Sequence, residues 1–183
     1  MKRVMWMLSI VALVLMVCVC NSFAESYRHP PTGLVFPDQF AGMSKGEVTE
    51  FDKDNPGSDV GIGYNLPNIT LTIYLYNPSA PDFESPAFKK HFDECVDEIM
   101  KVRPNGKKTS EGVVSFRLAP TPLRAQFASF NGVSNRGEYV SIIYLMVYKD
   151  RYLKIRYTYS KDSDTMGEAT FKRVIETLAA MLN

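Results

Sequence analysis

From Ile69 to Tyr76 the chain reads ITLTIYLY, with Ile69, Leu71, Ile73 and Leu75 on one side and Thr70, Thr72, Tyr74 and Tyr76 on the other. A period of two marks a strand with one buried face. DVGIGYN, residues 59–65, repeats the pattern, setting Val60, Ile62 and Tyr64 against glycine or polar residues, and GEVTEFD at 46–52 predicts a short strand before it. Pro78 and Pro81 stop the run. The period then changes. Ser85 is a good N-cap with Pro86 at the first helical position, and Phe88, Phe92, Cys95, Val96 and Ile99 form one apolar stripe. Arg103-Pro104-Asn105-Gly106 closes this helix. Strands are predicted at 112–120 and 123–132 on either side of a Pro-Thr-Pro turn. A last helix has Thr165 and Glu168 at capping-box spacing and a stripe of Phe171, Val174, Ile175, Leu178, Met181 and Leu182.

Between these lies YVSIIYLMVYKDRYLKIRYTYS, residues 139–160. With the tip at Asp150-Arg151 and Tyr148 facing Leu153, Tyr148, Met146, Tyr144 and Ile142 share a face with Leu153, Ile155, Tyr157 and Tyr159. The other face pairs Val147 with Lys154, Leu145 with Arg156 and Ile143 with Thr158. A slip of one residue would put Lys154 and Arg156 among the apolar partners, so the pattern specifies a pairing. The absence of a glycine at the tip predicts a four-residue loop, Lys149 to Tyr152. The first arm is apolar on both faces and belongs inside a sheet; the second, polar on one face, belongs nearer an edge or under a thinner layer. These elements predict an α+β fold: a mostly antiparallel sheet of six or seven strands with a helix on each face, an α/β/α sandwich.

The N-terminus obeys different rules. Lys2 and Arg3 precede an apolar run broken only by Ser9, and Ser22 and Ala24 occupy the small-residue positions of a signal-peptidase site. The reading is a signal peptide at 1–24, a flexible arm at 25–33 and one domain at 34–183, in a periplasmic or secreted protein. Two alternatives are an uncleaved anchor, since Val4 to Cys20 falls just short of a comfortable span, and a lipoprotein modified at Cys18 or Cys20. Cleavage removes two basic residues from 21, leaving 19 against 20 acidic ones, a net of −1. Such a chain is a poor candidate for nucleic acid or an anionic membrane surface. Neither hairpin arm is long enough for a stable membrane insertion. Cys95 is the one cysteine beyond the signal, so no internal disulfide is expected, and on the apolar side of a helix it reads as a buried inert thiol.

No catalytic, metal or cofactor constellation emerges. His29 stands in the arm; His91 and Cys95 have i, i+4 spacing but no second ligand pair. Asp52, Asp54 and Gly57 match three positions of a calcium loop, but Pro56 and Gly63 occupy ligand positions, which makes 52–59 a polar turn. Gly61-Ile62-Gly63 lacks the third glycine of a phosphate loop. Asp93, Glu94, Asp97 and Glu98 read as a solvated face paired with Lys89 and Lys90. Two candidate surfaces remain. Tyr144, Tyr148, Tyr157 and Tyr159 could line a pocket for an amphipathic ligand, or pack on the last helix with their hydroxyls at its rim. Arg117, Lys154 and Arg156 could meet an anionic partner, or keep a sheet edge soluble.

The element order, strands, helix, four strands and terminal helix, resembles the PsbP-like class of α/β/α sandwiches, which includes an extrinsic photosystem subunit and many uncharacterised bacterial envelope proteins. The resemblance implies a non-enzymatic binding or assembly factor. The expectation is an exported, non-catalytic envelope protein that binds a partner protein or small ligand, without cofactor. A hydrolase built on His91 and the neighbouring carboxylates is the alternative from another class.

Overall fold

The computed structural model describes residues 26–77, 79–116 and 122–183; the signal segment and Arg117 therefore lie outside the described residues. Strands β1 (Tyr27–Arg28), β2 (Val35–Phe36), β3 (Gln39–Phe40), β4 (Met43–Glu50), β5 (Val60–Leu66) and β6 (Ile69–Tyr76) precede helix α1 (Pro86–Val102). Strands β7 (Lys107–Phe116), β8 (Leu123–Ser134), β9 (Gly137–Tyr148) and β10 (Arg151–Ser160) follow, and a 3-10 turn leads into α2 (Asp164–Leu182). β1 and β2 make a small ribbon; the other eight form one sheet in the order β3-β4-β5-β6-β10-β9-β8-β7, every described pair antiparallel. The fold class is α+β. The strand beyond the expected seven is β3, whose two residues are too few to carry a period.

Residues paired across a ladder share a face, so the registers define rows running over the sheet. On one face Leu153, Ile155 and Tyr157 pack with Ile69 to Leu75, Val60 to Tyr64 and the α2 residues Val174, Leu178 and Leu182. The alternate residues Ile143, Leu145 and Tyr152, with Ala128 and Phe130, pack with Phe88, Phe92, Cys95, Val96 and Ile99 of α1. Burying these apolar stripes is the main favourable term, about 1.5–3 kcal/mol for each large side chain taken fully out of water.

Four expectations need correction. The hairpin pairs Met146 with Leu153 and Arg151 with Tyr148, two residues from the expected register. Faces are preserved because the slip is even. The loop is only Lys149-Asp150, with Lys149 left-handed at φ 57; its Nζ donates to Thr32 O at 2.8 Å, and Asp150 O accepts from Ala80 N at 2.9 Å. Tertiary contacts hold a turn that the local sequence does not favour. Second, of the two positions expected for β10, near an edge or under a thinner layer, the edge is excluded: β10 is central, between β6 and β9, with Lys154 and Arg156 half-buried there.

Third, the arm is built into the fold. His29 is fully buried, its Nε2 2.8 Å from Gly57 O and its Nδ1 2.7 Å from Thr32 Oγ1. Finally, Thr165 does not cap the last helix. Ser160 caps the 3-10 turn by accepting from Asp162 N, and α2 continues from that turn without a side-chain cap of its own.

Candidate functional site

Helix α1 covers the β8-β9-β10 part of its face and leaves the β4-β5-β6 part open. Two rows cross the boundary. Gly61 pairs with Tyr74, Tyr74 with Lys154 and Lys154 with Leu145; Gly63 pairs with Thr72, Thr72 with Arg156 and Arg156 with Ile143. Each row thus runs from bare glycine through a polar or aromatic residue to a cation, and then to an apolar residue under the helix. The result is a trough. Its depressions of about 390, 230 and 280 Å³ share Tyr74. The α1 flank contributes His91, Cys95 and Glu98; the opposite rim carries Phe51 and Asp59.

The aromatic rim depends on glycine. A Cβ on Gly61 would lie 3.2 Å from both Phe51 Cε2 and Tyr74 Cε1, so the absent side chain lets the two rings stack at 6.4 Å. Phe51 is 56% exposed, a large apolar side chain presented to solvent. Lys154 Nζ sits 4.7 Å from the Tyr74 ring centre and 5.1 Å from that of Tyr76. Burial lowers the pKa of Arg156, with Arg103 acting in the same direction. Asp59 is shifted upward by burial, against the opposing pull of Lys154.

At the upper end His91 is held in a polar cluster. Its Nε2 lies 2.8 Å from the Tyr76 hydroxyl and 3.8 Å from Cys95 Sγ, its Nδ1 is 3.4 Å from Glu94 Oε2, and its ring is 4.4 Å from that of Tyr152. Cys95 is buried and its thiol pKa is pushed up by desolvation, the opposite of what activates a cysteine nucleophile. At the lower end a separate depression of about 280 Å³ is lined by Arg103, Arg136, Tyr139 and Thr158, with Arg103 stacked 4.4 Å over Tyr139.

The expected tyrosine site lies on the other face, towards α2. Tyr157 is fully buried and donates to Gly167 O at 2.8 Å. Tyr159 is buried beside Gly167, and desolvation raises it to about 12. Tyr144 is half-buried among Phe116, Phe127 and Phe171, and Tyr148 is half-buried beside Lys149. Tyr159 reaches the lower depression. Of the second expected set, Lys154 and Arg156 line the trough; Arg117 is outside the described residues. Asp52 accepts from Asn55 Nδ2, Ser58 Oγ and the amides of Asp54 and Asn55, so its loop's own donors engage it. Tyr74, Tyr76 and Phe51 were missed as site residues. The available signal was that Gly61 and Gly63 alternate in phase with one another, as Thr72 and Tyr74 do.

No protein-family profile matches the chain, and no curated protein matches it. Solved structures do. The solution structure of the cyanobacterial PsbP protein CyanoP from Synechocystis sp. PCC 6803 is 9% identical, covers 88% of this chain and 97% of its own, and superposes with a TM-score of 0.52. A Pseudomonas aeruginosa protein of unknown function, PA94, is 13% identical over 84% of this chain and 94% of its own, with a TM-score of 0.46. At 9% identity the likeness to CyanoP is one of fold alone, and the fold of this chain is PsbP-like.

Proposed function

We propose that this is an exported, non-catalytic binding protein, an α/β/α sandwich whose trough between α1 and the open half of the sheet receives a small ligand. One observation carries the reading. The middle of the main sheet, where packing alone favours apolar residues, presents a lysine, an arginine, threonine and two tyrosines to a recess, beside an exposed phenylalanine. A ligand seated there would have aromatic walls and a few convergent polar groups, the usual make-up of a small-molecule site. Export is supported by the charged, apolar and small-residue succession of residues 1–24. N-terminal sequencing of the exported form checks it: Glu25 as first residue is expected, and an intact Met1 in the membrane fraction favours the anchor. No helix among the described residues is long and apolar enough to cross a membrane.

The enzymatic alternative rests on His91 lying against Glu94 at the trough wall. It is weaker because His91 Nε2, the nitrogen that would act on a substrate, already meets the Tyr76 hydroxyl. The binding reading is tested by ¹⁵N–¹H spectra of the protein titrated with the small-molecule fraction of an envelope extract. Saturable shifts confined to residues 61–63, 72–76 and 154–158 are expected. Shifts only at the α2 face, or none at all, refute it; a protein partner would instead be seen as broadening that survives removal of small molecules.

A further inference from the structure

We infer that the trough binds an organic oxyanion, a carboxylate or phosphate carried on a flat body, with Lys154 and Arg156 holding the charge and Tyr74 and Phe51 the body. The inference rests on the binding reading above and adds the chemistry of the ligand.

Lys154 and Arg156 are two residues apart on β10 and therefore point to the same side, about 7 Å from one Cα to the next. Among the described residues neither makes an ion pair or a hydrogen bond with a carboxylate. Lys154 rests on the Tyr74 and Tyr76 rings, and Arg156 has as row neighbours the hydroxyl-bearing Thr72 and the apolar Ile143. Six cations elsewhere, Lys45, Lys89, Lys90, Lys108, Arg124 and Lys161, do meet an acidic side chain. A guanidinium offers five donors in a planar fork, and burying it without acceptors is unfavourable. Its depressed pKa has burial as the main cause. Yet none of its nitrogens is sealed off, since among the described residues the fully buried side-chain nitrogen without a hydrogen-bond partner is Arg151 Nε. The fork thus remains open to the trough, and the group that fits it is a bidentate oxyanion.

The rest of the ligand is set by the neighbours. Gly61 and Gly63 add no side chains to the floor, and the stacked Phe51–Tyr74 pair forms a wall in the same row as Lys154, one strand away. A planar ring attached to the acid could lie along it. Asp59 and Glu98 stand at the margins of the same recess and disfavour a polyanion, which restricts the ligand to one acidic group.

The test uses four probes of stated chemistry, phenylacetate, phenyl phosphate, inorganic phosphate and neutral phenylacetamide, followed through the Arg156 side-chain Nε–H and the amides of 154–158. Phenylacetate or phenyl phosphate should shift these resonances saturably, and the tighter of the two identifies the acid. Arg156→Met, which keeps the aliphatic stem, should weaken that probe about tenfold or more, the worth of a charge-assisted pair. Phenylacetamide binding as well as phenylacetate, or an unchanged affinity in Arg156→Met, overturns the oxyanion while leaving a binding trough. Inorganic phosphate binding as well as phenyl phosphate overturns the aromatic wall. No shift with any probe overturns the inference, and the extract titration then decides separately whether the trough binds anything.

Discussion

Replacing His29 by alanine should destabilise this protein severely for a residue of its N-terminal arm. The imidazole is fully buried and uses both nitrogens. Nε2–H donates to Gly57 O, so Nδ1 is the acceptor, and it faces the Thr32 hydroxyl at 2.7 Å and the Thr32 amide at 3.3 Å. Alanine leaves Gly57 O and the Thr32 donors without partners at roughly 1–3 kcal/mol each, and the lost ring adds a cavity. A total near 3 kcal/mol is expected, shifting a urea midpoint by about 1–2 M. The same geometry fixes the pH response. Protonated Nδ1 would turn a donor towards the Thr32 amide and force the Thr32 hydroxyl to reverse its bond, with Arg151 opposing the charge; Lys149 reaches Thr32 O, and Glu50, which favours the proton, is engaged by Tyr27 and Gly57. Burial accordingly holds the native pKa below its usual 6.5. The unfolded chain therefore binds the proton first. The neutral ring's full contribution is present above pH 6.5 and is lost as pH falls towards the native pKa, by up to about 1.4 kcal/mol per unit. His29→Gln can still donate towards Gly57 but cannot titrate. Urea unfolding followed by circular dichroism between pH 8 and 4.5 should show the acid loss in the parent and a flatter curve in this variant. Equal slopes in the two, or a cost below about 0.5 kcal/mol for alanine, would refute the reasoning.

Gly167→Ala should lower the melting temperature although alanine is about 1 kcal/mol the better helix former. Its Cβ would lie 2.4 Å from Tyr159 Cδ2, and overpacking a buried ring costs about 1–3 kcal/mol; a raised melting temperature contradicts the packing. Cys95 should resist a thiol reagent in native buffer and react promptly in urea, because it is buried with an elevated pKa; modification within minutes of the native protein would count against that burial. Arg156→Met should leave stability unchanged or raise it by about 1 kcal/mol, as expected when an unpaired, partly buried charge is replaced by an apolar stem. A loss above about 1 kcal/mol in thermal or urea unfolding would mean that Arg156 has an internal partner.

Periodicity made β5, β6, β8, β9 and β10 legible because these strands bury largely alternate residues, and it made α1 legible down to Ser85, whose hydroxyl accepts from Phe88 N. What periodicity carries is parity. It assigned Tyr144 and Met146 to the face of Leu153 but could not separate pairings two residues apart, and the choice between them was made by Lys149 and Asp150 binding Thr32 and Ala80. Placing β10 near an edge failed for a related reason. Lys154 and Arg156 were read as solvent-facing, whereas long cationic stems can cross a sheet's centre if their ends reach a recess. His29 was hidden because β1 and β2, two residues each, have no period at all. The trough escaped notice because its rows join residues 61, 74 and 154, which only the ladders bring together.

The position of these cations bears on function more than their chemistry does. A lysine and an arginine on an edge strand blunt association with other sheets, and that explanation is complete in itself. On β10 it is unavailable, because β6 and β9 satisfy both edges of the strand. Nor do the charges fill the space under α1: its apolar stripe packs on Ile143, Leu145 and Tyr152, and Lys154 and Arg156 line a depression beside its Cys95, Glu98 and Ile99. Both structural accounts thus fail for one strand face, while the α2 face of the same strand is filled by Leu153, Ile155 and Tyr157 in the ordinary way. A half-sheet left uncovered beside cations that lack an ion pair among the described residues weakens the fold, and proteins tolerate such weakness most often where a ligand completes the site.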